Sequence, residues 1–368
     1  MSAVYLDHNA TTPLRPEARE AMLEALDLGP LNASSAHGAG RAARALLDEA
    51  RERVAGALGV GEEEILFTSG GTEALNLAVA GTVGREGSAA RVAASAVEHP
   101  AVLAACERYA ETTQVVGVHE DGAVRLDELP READLVAIQA ANSETGTVQD
   151  LPAVRAALHG TPLLVDAVQA LGKISIDLSG WGADLAGFSA HKVGGPAGVG
   201  VLVRRPGRGL EPLLVGGGQE EGLRAGTEGI AAIHAASIAI ELAVEELEQG
   251  TRRASELCGL LWSELRAAIP GVLCNGRPPG SPGRLPNTLN VALPEGDGRV
   301  LVTRLDLMGL QASAGSACSS GSLEPSPVLV AMGQERDRAR RGLRLSCGRT
   351  TTHSDIHRAV EILRESQR

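Results

Sequence analysis

The chain has 368 residues, of which 43% are hydrophobic but only 2% aromatic. This length predicts one very large domain or two packed domains, with a core of Ala, Val, Leu and Ile. The formal net charge of -12 argues against a nucleic-acid or membrane-surface protein, because both require a basic face. The first residues show no targeting pattern, and no apolar run approaches the roughly 18 residues of a membrane span, so we expect a cytoplasmic protein.

Short β-branched runs alternate with helical stretches between about residues 60 and 205, which is typical of an α/β domain with a largely parallel sheet. The predicted strands are Ile65–Thr68, Arg91–Ser95, Val115–Val118, Leu135–Gln139, Leu163–Asp166, Asp184–Ser189 and Val199–Val203. Residues 38–58 and 228–268 carry small and apolar residues at helical spacing. We expect the second of these stretches to lead out of the sheet domain.

The last quarter of the chain predicts a smaller α+β unit. Residues 275–287 form a loop rich in Gly and Pro, and a strand-like run, Thr288–Leu293, follows it. A final helix is predicted from about Ser354 to Glu365, with Thr352 and Ser354 as capping candidates.

The five cysteines are odd in number and form no CxxC pair, which disfavours a disulfide framework and a structural zinc site. Four lie in or beside apolar runs and are predicted to be small buried hydrophobes: Cys106, Cys258, Cys274 and Cys347. Cys318 differs, because small polar residues surround it at 314–322 and predict a mobile, exposed loop. Solvent access of this kind is what a reactive thiol needs.

A glycine turn at Ser69–Thr72 separates a predicted strand from a predicted helix. Such a junction presents free backbone N–H groups and the positive end of the helix to an anion, and the Ser and Thr hydroxyls add donors. An ordinary glycine turn is the alternative interpretation of this segment.

Only two lysines occur in the chain, Lys173 and Lys192, and the second directly follows a strand-like run. An ammonium group can lose a proton and a guanidinium cannot, so Lys192 is either a reactive amine or a surface lysine that arginine did not replace. Asp166 ends an apolar strand, where α/β sheets bind ligands, although it could also cap a helix. Together, a lysine for a Schiff base and an aspartate for a pyridinium nitrogen are what pyridoxal phosphate enzymes require.

A series of motifs resembles, in order, those of cysteine desulfurases of the NifS/IscS type, which are class V aminotransferases. The motifs are Tyr5–Thr12, Asn32–His37, Phe67–Glu73, Glu98–His99, Asn142–Gly146, Asp166–Gln169, Ser189–Lys192, Gly216–Gln219, Arg224–Thr227 and Gly315–Cys318. The resemblance runs from about residue 4 to 350. It implies an α/β, aspartate-aminotransferase-like fold, which is fold type I of the pyridoxal phosphate enzymes. A large domain at 13–250 and a small α+β domain from 1–12 and 251–368 are expected, with the cysteine loop at about 313–324.

The resemblance also implies roles for individual residues. Lys192 would form the Schiff base with pyridoxal 5'-phosphate, Asp166 would pair with the pyridine nitrogen, and Gln169 would contact the ring hydroxyl. His99 would stack on the ring and move protons, and Ser143 would lie near the ring hydroxyl. The residues implied to hold the phosphate are Gly71, Thr72, Ser189 and His191, with Thr227 supplied by the second subunit of a homodimer.

By the same resemblance, Arg344 would bind the α-carboxylate of L-cysteine, with Asn9 as a second substrate contact. The enzyme would convert L-cysteine to L-alanine and leave the sulfur on Cys318 as a persulfide. The sulfur would then pass to an acceptor protein, either a scaffold for iron–sulfur clusters or an enzyme of thio-cofactor synthesis or tRNA thiolation. No intrinsic metal is expected, although Cys318 could transiently ligate a cluster, and neither direct nucleic-acid binding nor membrane binding is expected.

Four positions depart from the family pattern. Ser143 stands where the family usually has asparagine, Glu221 stands where arginine is common, and Gly194 and Ala197 replace bulkier residues after the lysine. These departures leave the substrate preference open, so a related aminotransferase, or a lyase of selenocysteine or other β-substituted amino acids, is the alternative function. A non-catalytic dimeric binding protein is a further alternative, which the presence of Lys192, Asp166 and Cys318 together disfavours.

Overall fold

The computed structural model describes residues 3–86, 89–315 and 324–367. Its strands are β1 (Val4–Tyr5), β2 (Ile65–Thr68), β3 (Arg91–Ser95), β4 (Thr112–Val116), β5 (Leu135–Gln139), β6 (Leu163–Asp166), β7 (Leu185–Ser189), β8 (Gly200–Arg204), β9 (Leu273–Cys274), β10 (Thr288–Ala292), β11 (Leu310–Gln311) and β12 (Gly342–Ser346).

The α-helices are α1 (Pro16–Asp27), α2 (Gly38–Leu58), α3 (Gly71–Glu86), α4 (Pro100–Tyr109), α5 (Leu151–Ala157), α6 (Leu178–Trp181), α7 (Ile230–Glu245), α8 (Leu247–Ala268), α9 (Gly298–Leu307), α10 (Pro327–Ala331), α11 (Arg336–Arg340) and α12 (His353–Ser366). Short 3-10 turns lie at Glu62–Glu64, Leu126–Glu128, Ala190–Lys192 and Gln219–Gly222. Among the described residues, no helix is long and apolar enough to cross a membrane.

A seven-stranded sheet forms the centre of the molecule, in the order β2-β8-β7-β6-β5-β3-β4. Strand β8 runs antiparallel to both of its neighbours, and all other pairs are parallel. This arrangement confirms the predicted largely parallel sheet. Every residue of β5, β6 and β7 is buried, as expected for parallel strands that are covered by helices on both faces.

Neighbouring residues of one strand supply the two faces of this sheet. Val165 joins a core with Val54 of α2 and Ile240 of α7, whereas Leu164 joins a second core with Leu75 of α3. Successive side chains of a strand point to opposite faces, so the apolar run of β6 serves both cores. Full burial of each such side chain contributes about 1.5–3 kcal/mol.

A third core lies in the C-terminal unit, around the antiparallel sheet β12-β10-β9 and helices α8, α9 and α12. Leu6 of the N-terminal segment packs into this core with Leu289 and Leu345, and β1 pairs in parallel with β11. The first residues of the chain therefore belong structurally with the last. The predicted bounds of the two domains stay a prediction.

Most predicted elements are confirmed to within one residue at each end, and two differ by more. The edge strand β4 begins at Thr112 rather than Val115, because its polar first residues pair with β3. The predicted helical stretch 228–268 is divided at Glu246, whose carboxylate pairs with Arg15 at 2.8 Å. Thr352 caps α12 as predicted.

Ser354, the second capping candidate, is instead a residue of α12 itself. The cap is a reciprocal pair, in which the Thr352 hydroxyl accepts from the backbone N–H of Asp355 and the Asp355 carboxylate accepts from that of Thr352. This arrangement satisfies two N–H groups that the helix start would otherwise leave unpaired.

Candidate active site

Asp166 lies at the carboxyl end of β6, in the middle of the central sheet. It pairs in register with Gln139 of β5 on one side and Gly187 of β7 on the other. Burial raises the pKa of the Asp166 carboxyl, and the hydrogen bond that Oδ1 accepts from Val168 N–H at 3.0 Å opposes this rise. A buried carboxylate of this kind is stabilised when a cation pairs with it.

Lys192 lies on the short turn that follows β7 and faces the same edge of the sheet. Its Nζ donates to the carbonyl oxygens of Asn9, at 2.8 Å, and Ala10, at 2.7 Å. The charges of His99 and Lys192 both act to lower the pKa of Asp166, so the three groups lie within electrostatic reach of one another. The structure thus brings the predicted lysine, aspartate and histidine together.

His99 caps the N-terminus of α4. Its Nδ1 accepts from the N–H of Ala101 at 3.1 Å, and Pro100 occupies the first helical position. This bond assigns the proton of the neutral ring to Nε2. Burial lowers the pKa of His99, against the effect of Asp166, so the imidazole is neutral near pH 7.

Glu98, next to His99, is a buried acid that sequence reasoning singled out only as part of a motif. Its Oε1 accepts from the Ser95 hydroxyl and from the Gln139 N–H, both at 2.8 Å. Its Oε2 is buried and has no hydrogen-bond partner among residues 3–86, 89–315 and 324–367. Burial, assisted by the charge of Asp166, raises the pKa of Glu98 to about 8, so this carboxyl is protonated at neutral pH.

The glycine turn forms a cradle at the start of α3. A Cβ added to Gly71 would lie 2.9 Å from Cγ2 of Val168 and 3.3 Å from Cβ of Ser189, so only glycine fits there. Within the described chain, the N–H groups of Gly71, Thr72 and Glu73 donate to no protein acceptor. Unpaired N–H groups at the start of a long helix are suited to bind an anion such as phosphate.

Two further groups border this cradle. Ser189 is buried at the end of β7, and its hydroxyl is available to an anion, because it makes no hydrogen bond within the described residues. His191 Nδ1 lies 3.1 Å from the Thr11 hydroxyl. Burial, and then the charges of Lys192 and Lys173, lower the pKa of His191 to about 4, so its ring is neutral near pH 7. Glycine N–H groups, a hydroxyl and an imidazole together fit the phosphate of pyridoxal 5'-phosphate.

Gln169 is held from two sides. Its Nε2 donates to the Asn9 carbonyl at 3.0 Å, and its Oε1 accepts from Lys173 Nζ at 2.9 Å. Lys173 is only 8% exposed. Burial is the largest cause that lowers its pKa to about 7, and the charges of Lys192 and Arg344 lower it further. Sequence reasoning missed this role of Lys173, although the presence of only two lysines was a usable signal.

Asn9 is 1% exposed and ties the N-terminal segment to β10. Its Nδ2 donates to the Ser143 carbonyl at 3.0 Å and to the Thr288 hydroxyl at 2.8 Å, and its Oδ1 accepts from Asn287 at 3.0 Å. The side chain is therefore occupied by protein groups, and the main-chain carbonyl is the part that meets Lys192. Its predicted contact with substrate stays a prediction.

Arg344 of β12 is a 2% exposed guanidinium. One terminal nitrogen donates to Asp7 Oδ1 at 2.6 Å, and the other donates to the Ser143 carbonyl at 3.3 Å. Its buried Nε has no hydrogen-bond partner in the part of the chain that the structure describes. The Ser313 hydroxyl fixes the second oxygen of Asp7 at 2.9 Å. A buried arginine with an unused N–H is suited to bind another carboxylate.

Two predicted site residues remain, and the structure places only one of them. Thr227 lies exposed on the loop before α7, and Cys318 lies outside the described residues. Of the other four cysteines, three are buried as predicted, whereas Cys274 is partly exposed. Burial raises the pKa of these thiols, for Cys106 to about 12 and for Cys258 to about 11. In the described part of the chain, no group of three or more His, Cys, Asp or Glu side chains could hold a metal ion.

The fold and this donor set define a pyridoxal phosphate enzyme of fold type I. Residues 4–359 match the family described as aminotransferase class-V. The chain belongs to this family and, within it, to the cysteine desulfurases. This membership confirms the predicted family, fold class and cofactor.

Three relatives document the similarity. A cysteine desulfurase IscS of Dictyoglomus turgidum is 39% identical over 98% of this chain and 93% of its own length. A cysteine desulfurase of Cereibacter sphaeroides is 41% identical, over 99% of this chain and 95% of its own length. The solved structure of a NifS-like protein has a TM-score of 0.90 and 34% identity, and the match covers 99% of this chain and 98% of that one.

Proposed function

We propose that this chain converts L-cysteine to L-alanine and takes up the sulfur on Cys318. The observation that carries the proposal is the link between Lys192 and Arg344. Lys192 donates to the carbonyl of Asn9, and the Asn9 side chain and Arg344 both donate to the carbonyl of Ser143. An amino acid with its carboxylate on Arg344 would therefore present its α-carbon to the lysine.

The cofactor would be held by the glycine cradle and by side chains that retain free donor or acceptor atoms. Its phosphate would accept from the N–H groups of Gly71 and Thr72 and from Ser189 and His191. Asp166 would pair with the ring nitrogen, and the second amide N–H of Gln169 would donate to the ring hydroxyl. When bound, pyridoxal phosphate supplies the electron sink that stabilises negative charge at the substrate α-carbon.

Proton transfer would be divided between two residues. The Lys192 amine accepts the proton from the substrate α-carbon, and the carbonyls of Asn9 and Ala10 hold this amine in place beforehand. His99 is held by its helix-capping bond and is neutral, so its Nε2 can exchange protons at the reacting atoms.

Sulfur transfer would need Cys318 as the thiolate. Its sulfur forms a bond to the substrate sulfur while the substrate Cβ–S bond breaks, and the electron pair of that bond goes to carbon. Protonation of the carbon gives the methyl group of alanine. The balance is one cysteine and one protein thiol in, and one alanine and one protein persulfide out.

A homodimer and an acceptor protein complete the proposal. Exposed Thr227 would reach the phosphate bound by the other subunit, and the nearby Val215, 80% exposed, supports a covered surface there. The persulfide would pass to a scaffold for iron–sulfur clusters or to a thiolation enzyme. We also propose the domain division 13–250 against 1–12 with 251–368, which the separate C-terminal core supports.

The test compares wild type with Cys318→Ala, each with added cofactor, L-cysteine and a reductant. Alanine and sulfide from the wild type alone support the proposal. A keto acid in place of alanine would identify an aminotransferase, and equal alanine from both proteins would remove Cys318 from the mechanism.

A further inference from the structure

A second cavity lies behind Lys192 and has a volume of about 370 Å³. We call it the rear cavity. Its lining includes Leu171, Lys173, Lys192, Val193, Arg253 and Arg349. Among the residues proposed to hold the cofactor or to react, only Lys192 lines it, so this space is distinct from the cofactor cleft.

A thin wall separates the rear cavity from the cofactor site. Lys173 Nζ, on the cavity side, donates to Oε1 of Gln169 at 2.9 Å. Gln169 Nε2 and Lys192 Nζ then share the carbonyl of Asn9, at 3.0 and 2.8 Å. A group bound against Lys173 would therefore be one side chain away from the residue proposed to contact the cofactor ring.

The charge in the rear cavity is predominantly positive. Glu246 is the only acid among the described residues that line the cavity, and it is already paired at 2.8 Å with Arg15, which also lines the cavity. Arg253 donates to a backbone carbonyl, that of Thr351 at 2.9 Å. Within the described chain, neither Arg253 nor Arg349 pairs with a carboxylate.

Within the described residues, Lys173 Nζ also contacts no carboxylate, and it donates to Gln169 alone. Burial, and then the charges of Lys192 and Arg344, lower the pKa of Lys173 to about 7, so two further cations act on this ammonium group. An anion in the cavity would supply the missing opposite charge.

We propose that the rear cavity binds a small organic dianion. One carboxylate would lie against buried Lys173 at the base, and a second anionic group would meet exposed Arg253 and Arg349 at the mouth. Leu171 and Val193 provide an apolar surface for the short carbon chain between the two charges. The site goes beyond the proposed desulfurase function, as an effector site that contacts the cofactor pocket through Gln169.

The experiment is calorimetric titration of the holoenzyme with glutarate, with its uncharged analogue glutaramide and inorganic sulfate as comparators. Saturable binding of glutarate, with none of glutaramide and weaker binding of sulfate, is expected. Sulfate binding as tight as that of glutarate would overturn the elongated ligand class, and the absence of saturable glutarate binding would overturn the site.

A double variant, Arg253→Gln with Arg349→Gln, is expected to bind glutarate at least about tenfold more weakly, because each lost charge-assisted hydrogen bond is worth more than 1.4 kcal/mol or roughly tenfold. Arg252→Gln is the matched control, because Arg252 lies on the same helix, pairs with Glu248 and is 77% exposed at its side chain. Unchanged affinity in the double variant would overturn the proposal.

Glutarate could also bind at Arg344, and a repeat titration with saturating L-alanine separates the two sites. Independent binding of glutarate and alanine supports the rear cavity, whereas competition overturns it. The titration measures no turnover, so its failure leaves the proposed desulfurase function untouched.

Discussion

Arg344 and Asp7 form a buried ion pair at 2.6 Å across 337 residues of sequence. The pair neutralises the guanidinium in the folded protein and fixes the direction of its remaining N–H groups. A substrate carboxylate therefore meets a guanidinium group that is already oriented. Asp7 has already neutralised its charge, so the substrate does not have to do so.

Replacement of Asp7 by Ala is expected to destabilise the protein by about 3 kcal/mol, because it leaves the buried Arg344 charge unpaired. Asp7→Asn keeps a hydrogen-bond acceptor, so this variant should lose less stability than Asp7→Ala. Denaturant unfolding with and without L-alanine measures both effects. The product carboxylate should stabilise Asp7→Ala more than wild type, and an equal stabilisation would contradict the proposed role of Arg344.

The second prediction concerns Glu98, whose pKa of about 8 in the folded protein lies above its ordinary value of 4.5. The folded state keeps the proton while the unfolded state loses it, so stability from this group is full below about pH 4.5 and falls as the pH rises to about 8. The shift corresponds to a loss on the order of 3–5 kcal/mol.

Glu98→Gln mimics the protonated acid and should remove this pH dependence. Thermal unfolding from pH 5 to 9 measures the pH dependence of stability. The Glu98→Gln variant should gain stability relative to wild type as the pH rises. Parallel curves for the two proteins would show that Glu98 does not titrate in this range.

The third prediction is that Gly71→Ala weakens cofactor binding by at least about tenfold, because the added methyl group contacts Val168 and Ser189 and displaces the phosphate cradle. Titration of the apoenzyme with pyridoxal phosphate, followed by absorbance, measures this change. Gly259→Ala is the matched control, because its methyl group meets nothing within 4 Å. It should bind the cofactor normally and stabilise α8 by about 0.5–1 kcal/mol.

The fourth prediction contrasts Glu220 and Glu221, which both have positive φ, of 46° and 58°. The Glu220 carboxylate accepts from Arg51 at 2.7 Å and from the Phe67 N–H at 2.9 Å, whereas exposed Glu221 reaches only Arg204. Glu221→Gly should be neutral or stabilising by about 1 kcal/mol, since it relieves left-handed strain.

Glu220→Gly should instead destabilise by about 2–3 kcal/mol, since it removes the carboxylate partner of half-buried Arg51 and leaves the buried Phe67 N–H without its acceptor. Urea unfolding of the two single variants measures the difference between their free energies of unfolding. Similar free energies of unfolding would mean that the bonds of Glu220 contribute little.

The sequence was sufficient to predict those structural features that depend on residues adjacent in the chain. The apolar runs of β5 and β6 predicted buried parallel strands, and the glycine turn predicted the cradle at Gly71, because strand burial and helix starts depend on adjacent residues. The family resemblance then named residues such as Lys192, which the structure places beside Asp166.

Other features depend on contacts that no local pattern encodes. Asn9 owes its geometry to Ser143 and Thr288, at sequence separations of 134 and 279. The neutral state of Glu98 comes from complete burial near Asp166, and the role of Lys173 comes from its position behind Gln169. Such environments become visible only when the chain is folded.

The N-terminal segment has a consequence for the order of assembly. Leu6 packs in the C-terminal core, and the Asp7 carboxylate can pair with Arg344 only after the ribosome has added a further 337 residues to the chain. The sheet domain can form earlier from contacts within its own part of the chain. The substrate end of the pocket must then close last, so a nascent or truncated chain could hold a sheet with its cradle and still lack the means to recognise an amino acid.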